Sequence, residues 1–233
     1  MTTVSVIIPT LNEAAVLPST LAQTVSLGFD ELLVVDGGSE DGTAEAVRPY
    51  LSMHAPQPVT FVTGPRGRAR QMNLGTTLAR GDVFLFLHAD THLPANARAL
   101  VHEALRDPAC PGGRFDVSFD RPTALGGVVS RLINLRSRLS GIATGDQAIF
   151  VRRSVFERLG GFADIPLMED VDLSRRLKRV GRPAALRAQV VTSFRRWETC
   201  GPIRTILFMW LLRFLYWTGV SPVRLSHLYV AIR

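Results

Sequence analysis

The sequence predicts an α/β domain, a mostly parallel sheet with helices on its faces. Three observations predict it. Short, almost wholly apolar runs recur along the first half, segments of helical length separate them, and polar turns follow them. Runs without polar alternation suit strands buried on both faces, and a strand, helix, strand order is what parallel strands need because crossovers must connect them.

Residues 4–8 are the first run and end in Pro9-Thr10-Leu11-Asn12-Glu13; residues 13–27 then have helical length. Residues 32–35 lead into Asp36-Gly37-Gly38-Ser39-Glu40-Asp41-Gly42-Thr43, with a helix expected over 42–51. Residues 59–62 precede a helical segment at 68–79, and residues 83–87 end in His88-Ala89-Asp90-Thr91-His92. Two more apolar runs, 115–119 and 148–151, extend the sheet. No fixed-period repeat or low-complexity linker divides the chain. The expected organisation is one domain over residues 1–197 and an apolar helical extension over 198–233.

The 233 residues are 46% hydrophobic and 20% charged, with a mean hydropathy of +0.16. That much apolar content excludes a disordered chain, and the length buries a continuous core. Cys110 and Cys200 are the two cysteines, so a disulfide scaffold is excluded and a reducing compartment is expected. The net charge is +7, and every basic residue except Lys178 is arginine. Guanidinium forks suit phosphate, which points to anionic partners, with nucleic acid, anionic lipid headgroups and nucleotide diphosphates all qualifying. No run of like charges marks a nucleic-acid tail. The N-terminus lacks the basic start and apolar stretch of a secretory signal, so a cytoplasmic location is expected.

In an open parallel sheet, ligands bind beyond the carboxyl ends of the strands. Three acidic turns fall there. Each has a local explanation, since Asn12, Ser39 or Asp41 can cap a helix and Asp90 can hold a turn before Pro94. Carboxylates at corresponding ends of strands one, two and four are better explained together by one shared ligand. Asp36, at a strand end beside two glycines, can accept an N–H from a base. Arg66, Arg68, Arg70 and Asn73 surround a helix start, where unpaired N–H groups and guanidiniums favour phosphate; the alternative is a solvated basic helix end.

The motifs in order resemble the family 2 glycosyltransferases. "VSVIIPTLNE" and "LLVVDGGSEDGT" are similar to the family's first strand and nucleotide loops, and "GRARQMNLGTTLARGDVFLFLHADT" to its helix, strand and metal motif. "GDQAIFVRR", "LGGF" and "MEDVDLSRRLKRVG" resemble its acceptor segment, base motif and following helix. "GRARQMN" is also similar to a bacterial subgroup labelled selenodomain-associated glycosyltransferases. The resemblance spans roughly residues 4–197. It implies the GT-A type nucleotide-sugar-binding sheet, Rossmann-like, and a nucleotide-sugar donor, UDP- or GDP-linked.

By this resemblance Pro9, Glu13 and Asp36 line the nucleoside pocket, and Asp36 meets uracil or guanine. Asp90 is the last acid of a metal motif whose first acid is here His88. The resemblance therefore implies a divalent cation, and the imidazole tilts the expectation from Mg²⁺ towards Mn²⁺. If the chain stays extended, His88, Asp90 and His92 share one face as a cluster. Asp170 is implied as the general base, with Glu169 supporting it and Asp172 facing outward or capping. Asp146 and Gln147 resemble the segment beside the sugar and acceptor. Arg196 and Trp197 are similar to an element near the acceptor, although the preceding Gln of that element is not matched.

Residues 203–217 are apolar around most of a helix, interrupted by Arg204 and Arg213, and too short to span a bilayer. Such a helix can be buried against the domain, and the favoured expectation is that it lies on a membrane surface at its inner face or forms a homodimer contact. The function expected is an inverting transferase that moves a sugar from a nucleotide diphosphate to a hydroxyl acceptor, lipid-linked if the helix meets membrane. The alternatives are a nucleotidyltransferase, against which stands the lack of an early glycine-rich loop, and a non-catalytic nucleotide-sugar-binding scaffold.

Overall fold

A computed structural model describes residues 2–51, 58–194 and 201–230. The four expected strands are β1 (Val4–Thr10), β2 (Glu31–Asp36), β3 (Val59–Thr63) and β4 (Val83–Phe86). They pair in parallel in the order β3-β2-β1-β4. Alternate residues feed opposite faces: Val4, Val6 and Ile8 join one core cluster and Ile7 the other. On the first face pack α1 (Leu17–Ser26) and α4 (Ala97–Ala104), through Leu17, Leu21 and Val101. On the second pack α3 (Arg68–Leu78), α6 (Arg153–Arg158) and α7 (Glu169–Val180), through Met72, Phe156 and Leu173. A Cβ on Gly75 would lie 2.5 Å from Ile7 Cγ2, so a glycine is what lets α3 approach β1 this closely.

The expected helix over 42–51 is shorter, α2 (Thr43–Val47) followed by a 3-10 turn at Arg48–Tyr50. Pro49 cannot donate the hydrogen bond a continuing α-helix needs. The second half departs further from a parallel sheet. β7 (Phe150–Arg152) runs antiparallel between β4 and β6 (Gly112–Phe119), then come β8 (Ala184–Thr192), parallel to β6, and the short β5 (Thr91–His92). A long helix, α5 (Ala124–Ser140), connects β6 to the 3-10 turn Gly145–Gln147.

The C-terminal segment forms α8 (Pro202–Trp217) and α9 (Pro222–Val230). Leu212 and Leu225 are buried with Met168 and Val171 from the start of α7, so these helices share a small core with the domain. No helix among the described residues is long and apolar enough to cross a membrane.

Candidate functional site

Because β1, β2 and β4 are parallel, the turns after them open at one end of the sheet. The first two are laced together. Asn12, in the left-handed region at φ 55°, accepts Glu40 N–H at 2.9 Å, and its own N–H reaches Ser39 Oγ at 2.8 Å. Glu13 N–H donates to Thr43 Oγ1 at 3.0 Å and Ala14 N–H to Asp41 at 3.0 Å. Asp36 is buried; one carboxylate oxygen accepts Gly38 and Ser39 N–H at 2.9 Å, the other the Ser39 hydroxyl. Its first engagement is therefore with its own turn. Gln71, which sequence reasoning missed, donates to the carbonyls of Thr10 at 2.7 Å and Val35 at 2.8 Å, stapling the two strand ends.

Of the basic residues at the start of α3, Arg68 reaches the site and the others turn elsewhere. Arg70 pairs with Asp164 at 2.7 Å in the open, and Arg66 is exposed. Asn73 donates to Phe162 C=O at 2.8 Å and accepts Phe162 N–H at 2.9 Å, a reciprocal clamp on the loop after α6. Arg68 instead forms an ion pair with Glu169 at 3.6 Å.

Two cavities meet at these residues. A slot of about 10 Å³ is lined by Pro9, Met72, Phe86 and Phe162 near the ends of β1 and β4, and a larger cavity of about 250 Å³ lies beneath α5 and α8. Arg68, His88, Gly145, Glu169 and Asp170 line both. Helix α5 contributes Val129, Leu132, Ile133 and Arg136 from one face, and α8 contributes Thr205, Ile206, Met209, Trp210 and Arg213. Neither α5 nor the cavity was expected, although Leu125, Val128, Leu132, Leu135 and Leu139 recur at helical spacing.

The carboxylates occupy the N-terminus of α7, entered through Met168 in the left-handed region at φ 70°. Such backbone in a residue with a Cβ is strained, and strain of this kind persists at functional sites. Asp170 accepts Gly145 N–H at 2.7 Å on one oxygen and Val171 N–H at 2.6 Å on the other, so the carboxylate is fixed while each oxygen keeps a further lone pair. Glu169 is buried, and burial together with neighbouring Asp170 pushes its carboxyl up to about 7, against the pull of Arg68. Asp172 is held by Arg176, one turn on, at 2.6 Å.

Eight buried side-chain polar atoms lack a hydrogen-bond partner among the described residues, and four of them line the larger cavity: His88 Nε2, Arg136 Nε, Asp146 Oδ1 and Arg213 Nε. Buried polar atoms are nearly always paired, so their concentration here sets this cavity apart from the rest of the described residues. Gln147 does not line it. Its side chain accepts from Thr144 and donates to Phe115 C=O at 3.3 Å, closing the 3-10 turn. Arg196 and Trp197 lie outside the described residues.

The expected His88, Asp90 and His92 cluster does not form. Thr91 N–H donates to His88 C=O at 3.2 Å, so the chain turns at Ala89 and Asp90 instead of staying extended, and His92 meets Ser19 at 3.3 Å. No three His, Cys, Asp or Glu side chains among the described residues are placed to hold a metal. Burial and the nearby Arg68 drive the His88 imidazole well below its ordinary range, so it is neutral; a Cβ on Gly145 would lie 2.5 Å from its Nε2. The side chains present do not by themselves make a cation site, so a divalent ion here would need ligands beyond those of the described residues.

Residues 5–160 match the sequence profile of "Glycosyl transferase family 2", and the chain belongs to that family. Its sheet is of the GT-A type. The chain is 29% identical over 201 residues to "Probable glycosyltransferase YdaM" of Bacillus subtilis (strain 168), an alignment covering 76% of this chain and 47% of that protein. It is 32% identical over 167 residues to "Undecaprenyl-phosphate 4-deoxy-4-formamido-L-arabinose transferase" of Pseudomonas paraeruginosa, covering 67% of this chain and 49% of that one. Among solved structures it resembles the mannosyltransferase PcManGT from Pyrobaculum calidifontis, in complex with GDP-Man and Mn²⁺. That match has a TM-score of 0.65 and 25% identity, covering 82% of this chain and 57% of that one. The chain thus spans about half the length of the relatives it matches.

Proposed function

We propose that the protein is an inverting glycosyltransferase that moves a sugar from a UDP- or GDP-linked donor to a hydroxyl acceptor. The observation that carries this reading is the Asp170 carboxylate, fixed by two backbone N–H groups where the nucleotide-side slot opens into the larger cavity. The donor lies across the turns after β1 and β2, with Pro9, Glu13 and Asp36 around the nucleoside and Arg68 toward the diphosphate. The acceptor hydroxyl oxygen attacks the anomeric carbon from the cavity side. Its proton passes to Asp170, and the carbon–oxygen bond to the diphosphate breaks with the electron pair leaving on the nucleotide. Glu169, held by Arg68, sets the position of the first turn of α7.

Asp90, two residues on from His88, would hold a divalent cation together with the donor; Mn²⁺ suits an imidazole neighbour better than Mg²⁺. When bound, the cation would offset charge on the departing diphosphate. The PcManGT complex with GDP-Man and Mn²⁺ supports this reading of donor and metal. The undecaprenyl-phosphate transferase relative supports a lipid-linked acceptor. The exposed side of α8 would then rest on a membrane surface; a homodimer contact is the competing use of that side.

Calorimetric titration with UDP and GDP, each with Mn²⁺, Mg²⁺ or chelator, tests the donor half. One nucleotide should bind about tenfold or more tightly with metal, and Asp90→Ala should remove that gain. Absence of binding to either nucleotide under every condition overturns the proposal.

A further inference from the structure

The larger cavity contains a pair of arginines that the transfer step does not use. Arg136 comes from α5 and Arg213 from α8, and the Nε of each is buried without a partner among the described residues. Among the described residues Arg136 makes one long hydrogen bond, Nη2 to Thr144 Oγ1 at 3.3 Å. Burial first, and the nearby charge of Arg213 second, lower the Arg136 guanidinium from its ordinary range to about 10. Two half-buried cations are held near each other by the fold, and an anion between them would relieve both. Asp146 and Asp170 offset them in part, and the orphaned Asp146 Oδ1 leaves an acceptor for a ligand hydroxyl beside the two donors.

The rest of the lining is apolar, with Val129, Ile133, Ile206 and Met209 around the pair. Leu132 and Trp210 line the cavity and are also 45% and 59% exposed, so they stand at its mouth. Outside that mouth α5 exposes Leu125, Val128, Leu135 and Leu139, and α8 exposes Leu207, Leu211, Phe214 and Trp217. Patches of this kind mark interaction sites. Neither residues 121–145 nor residues 201–230 contain an Asp or Glu, whereas they contain seven arginines. A second copy of the same face would set arginine against arginine, while an anionic lipid surface is complementary to it.

We propose that the cavity takes an acceptor that is a phosphate-bearing amphiphile. Its phosphate sits between Arg136 and Arg213, and its apolar chain leaves past Leu132 and Trp210 onto the exposed faces of α5 and α8. This names the acceptor class for the transferase reading above and rests on it. The cavity is lined by Asp170 as well, so an amphiphile anchored at the arginine pair presents its hydroxyl toward the base.

The test is titration of the protein with dodecyl phosphate below its micellar concentration, with dodecanol and with inorganic phosphate. Dodecyl phosphate should bind at least about tenfold more tightly than either of the others, since it alone satisfies both halves of the site. Arg136→Gln and Arg213→Gln should each bring dodecyl phosphate down to the level of dodecanol, with the circular dichroism melting temperature not lowered and nucleotide affinity unchanged. Equal binding of dodecyl phosphate and dodecanol overturns the anionic subsite. Equal binding of inorganic phosphate overturns the amphiphile. Loss of nucleotide affinity in both variants reassigns the pair to the donor diphosphate. Failure of wild-type protein to bind UDP or GDP defeats the transferase reading alone, because the preference for dodecyl phosphate is read without a nucleotide.

Discussion

The turns after β1 and β2 and the cavity beneath α5 and α8 treat their polar groups in opposite ways. In the turns, Asn12, Asp36, Ser39 and Asp41 bond to one another's backbone and side chains, leaving a rigid rim. In the cavity, His88, Arg136, Asp146 and Arg213 each keep a buried atom without a partner among the described residues. A satisfied network is framework and holds its shape empty; an unsatisfied one is paid for in stability and is maintained for what it binds. The rim therefore reads as a preformed surface for a ligand recognised partly through backbone. The cavity reads as a site completed by its ligand.

Asp170 sits on the border between the two and gives the largest expected effect. Asp170→Asn keeps the shape and one carbonyl acceptor but cannot take a proton from a hydroxyl. Transfer should fall by about a thousandfold, within the 10²–10⁴ that a general base contributes. Nucleotide affinity should stay within about threefold, because proton removal from the acceptor belongs to the transfer step and not to holding the donor. A matching loss in nucleotide affinity would merge the two regions into one binding unit.

Next in size is the response of stability to pH. The Glu169 carboxyl stands at about 7 in the fold against 4.5 ordinarily. A folded-state value above the unfolded one means that the native protein holds the proton more tightly. Its contribution is complete below pH 4.5 and is lost as pH rises through 7. The shift corresponds to about 3 kcal/mol. Chemical denaturation of wild type and Glu169→Gln between pH 4 and 8 should show the wild type losing about that much more. Parallel profiles would mean that Arg68 compensates the buried charge, and the cavity side would then carry no strain at this residue.

The difference between the regions also explains what was legible in the sequence. β1, β2 and β4 are buried on both faces, so their apolar runs stand out and the polar turns after them mark the ligand edge. The direction of β7 was not legible, because three residues in a strand say nothing of which way they run; that depends on the long α5 connection. β8 alternates between half-buried and exposed positions until Val190, and with Arg187 and Gln189 in it lacks the apolar run that marks β1, β2 and β4. The Asp170 motif is local and therefore readable. Arg136 and Arg213 are 77 positions apart in the sequence, each one arginine among many, and nothing but the packing of α8 against α7 brings them to one cavity. Asp36 and Gln147 carry sequence signals of ligand contact yet have their polar atoms engaged by neighbouring backbone and side chains, because a turn needs those acceptors whether or not a ligand is present.

Asn73 separates framework from binding on the nucleotide side, with the smallest expected effect. The resemblance assigns it to the donor, while the structure shows its carboxamide clamped on both backbone groups of Phe162. Phe162 in turn packs edge-on against Phe86 at 4.7 Å between ring centres and lines the slot beside Pro9. Asn73→Ala leaves one N–H and one carbonyl of that loop unpaired, which costs about 1–3 kcal/mol of stability in denaturant unfolding. Nucleotide affinity should change by less than about threefold, since both polar atoms of the Asn73 carboxamide are turned to the loop they clamp. A tenfold loss of affinity at unchanged stability would place Asn73 on the ligand. The nucleotide rim would then resemble the cavity, with polar groups held in reserve for what binds there.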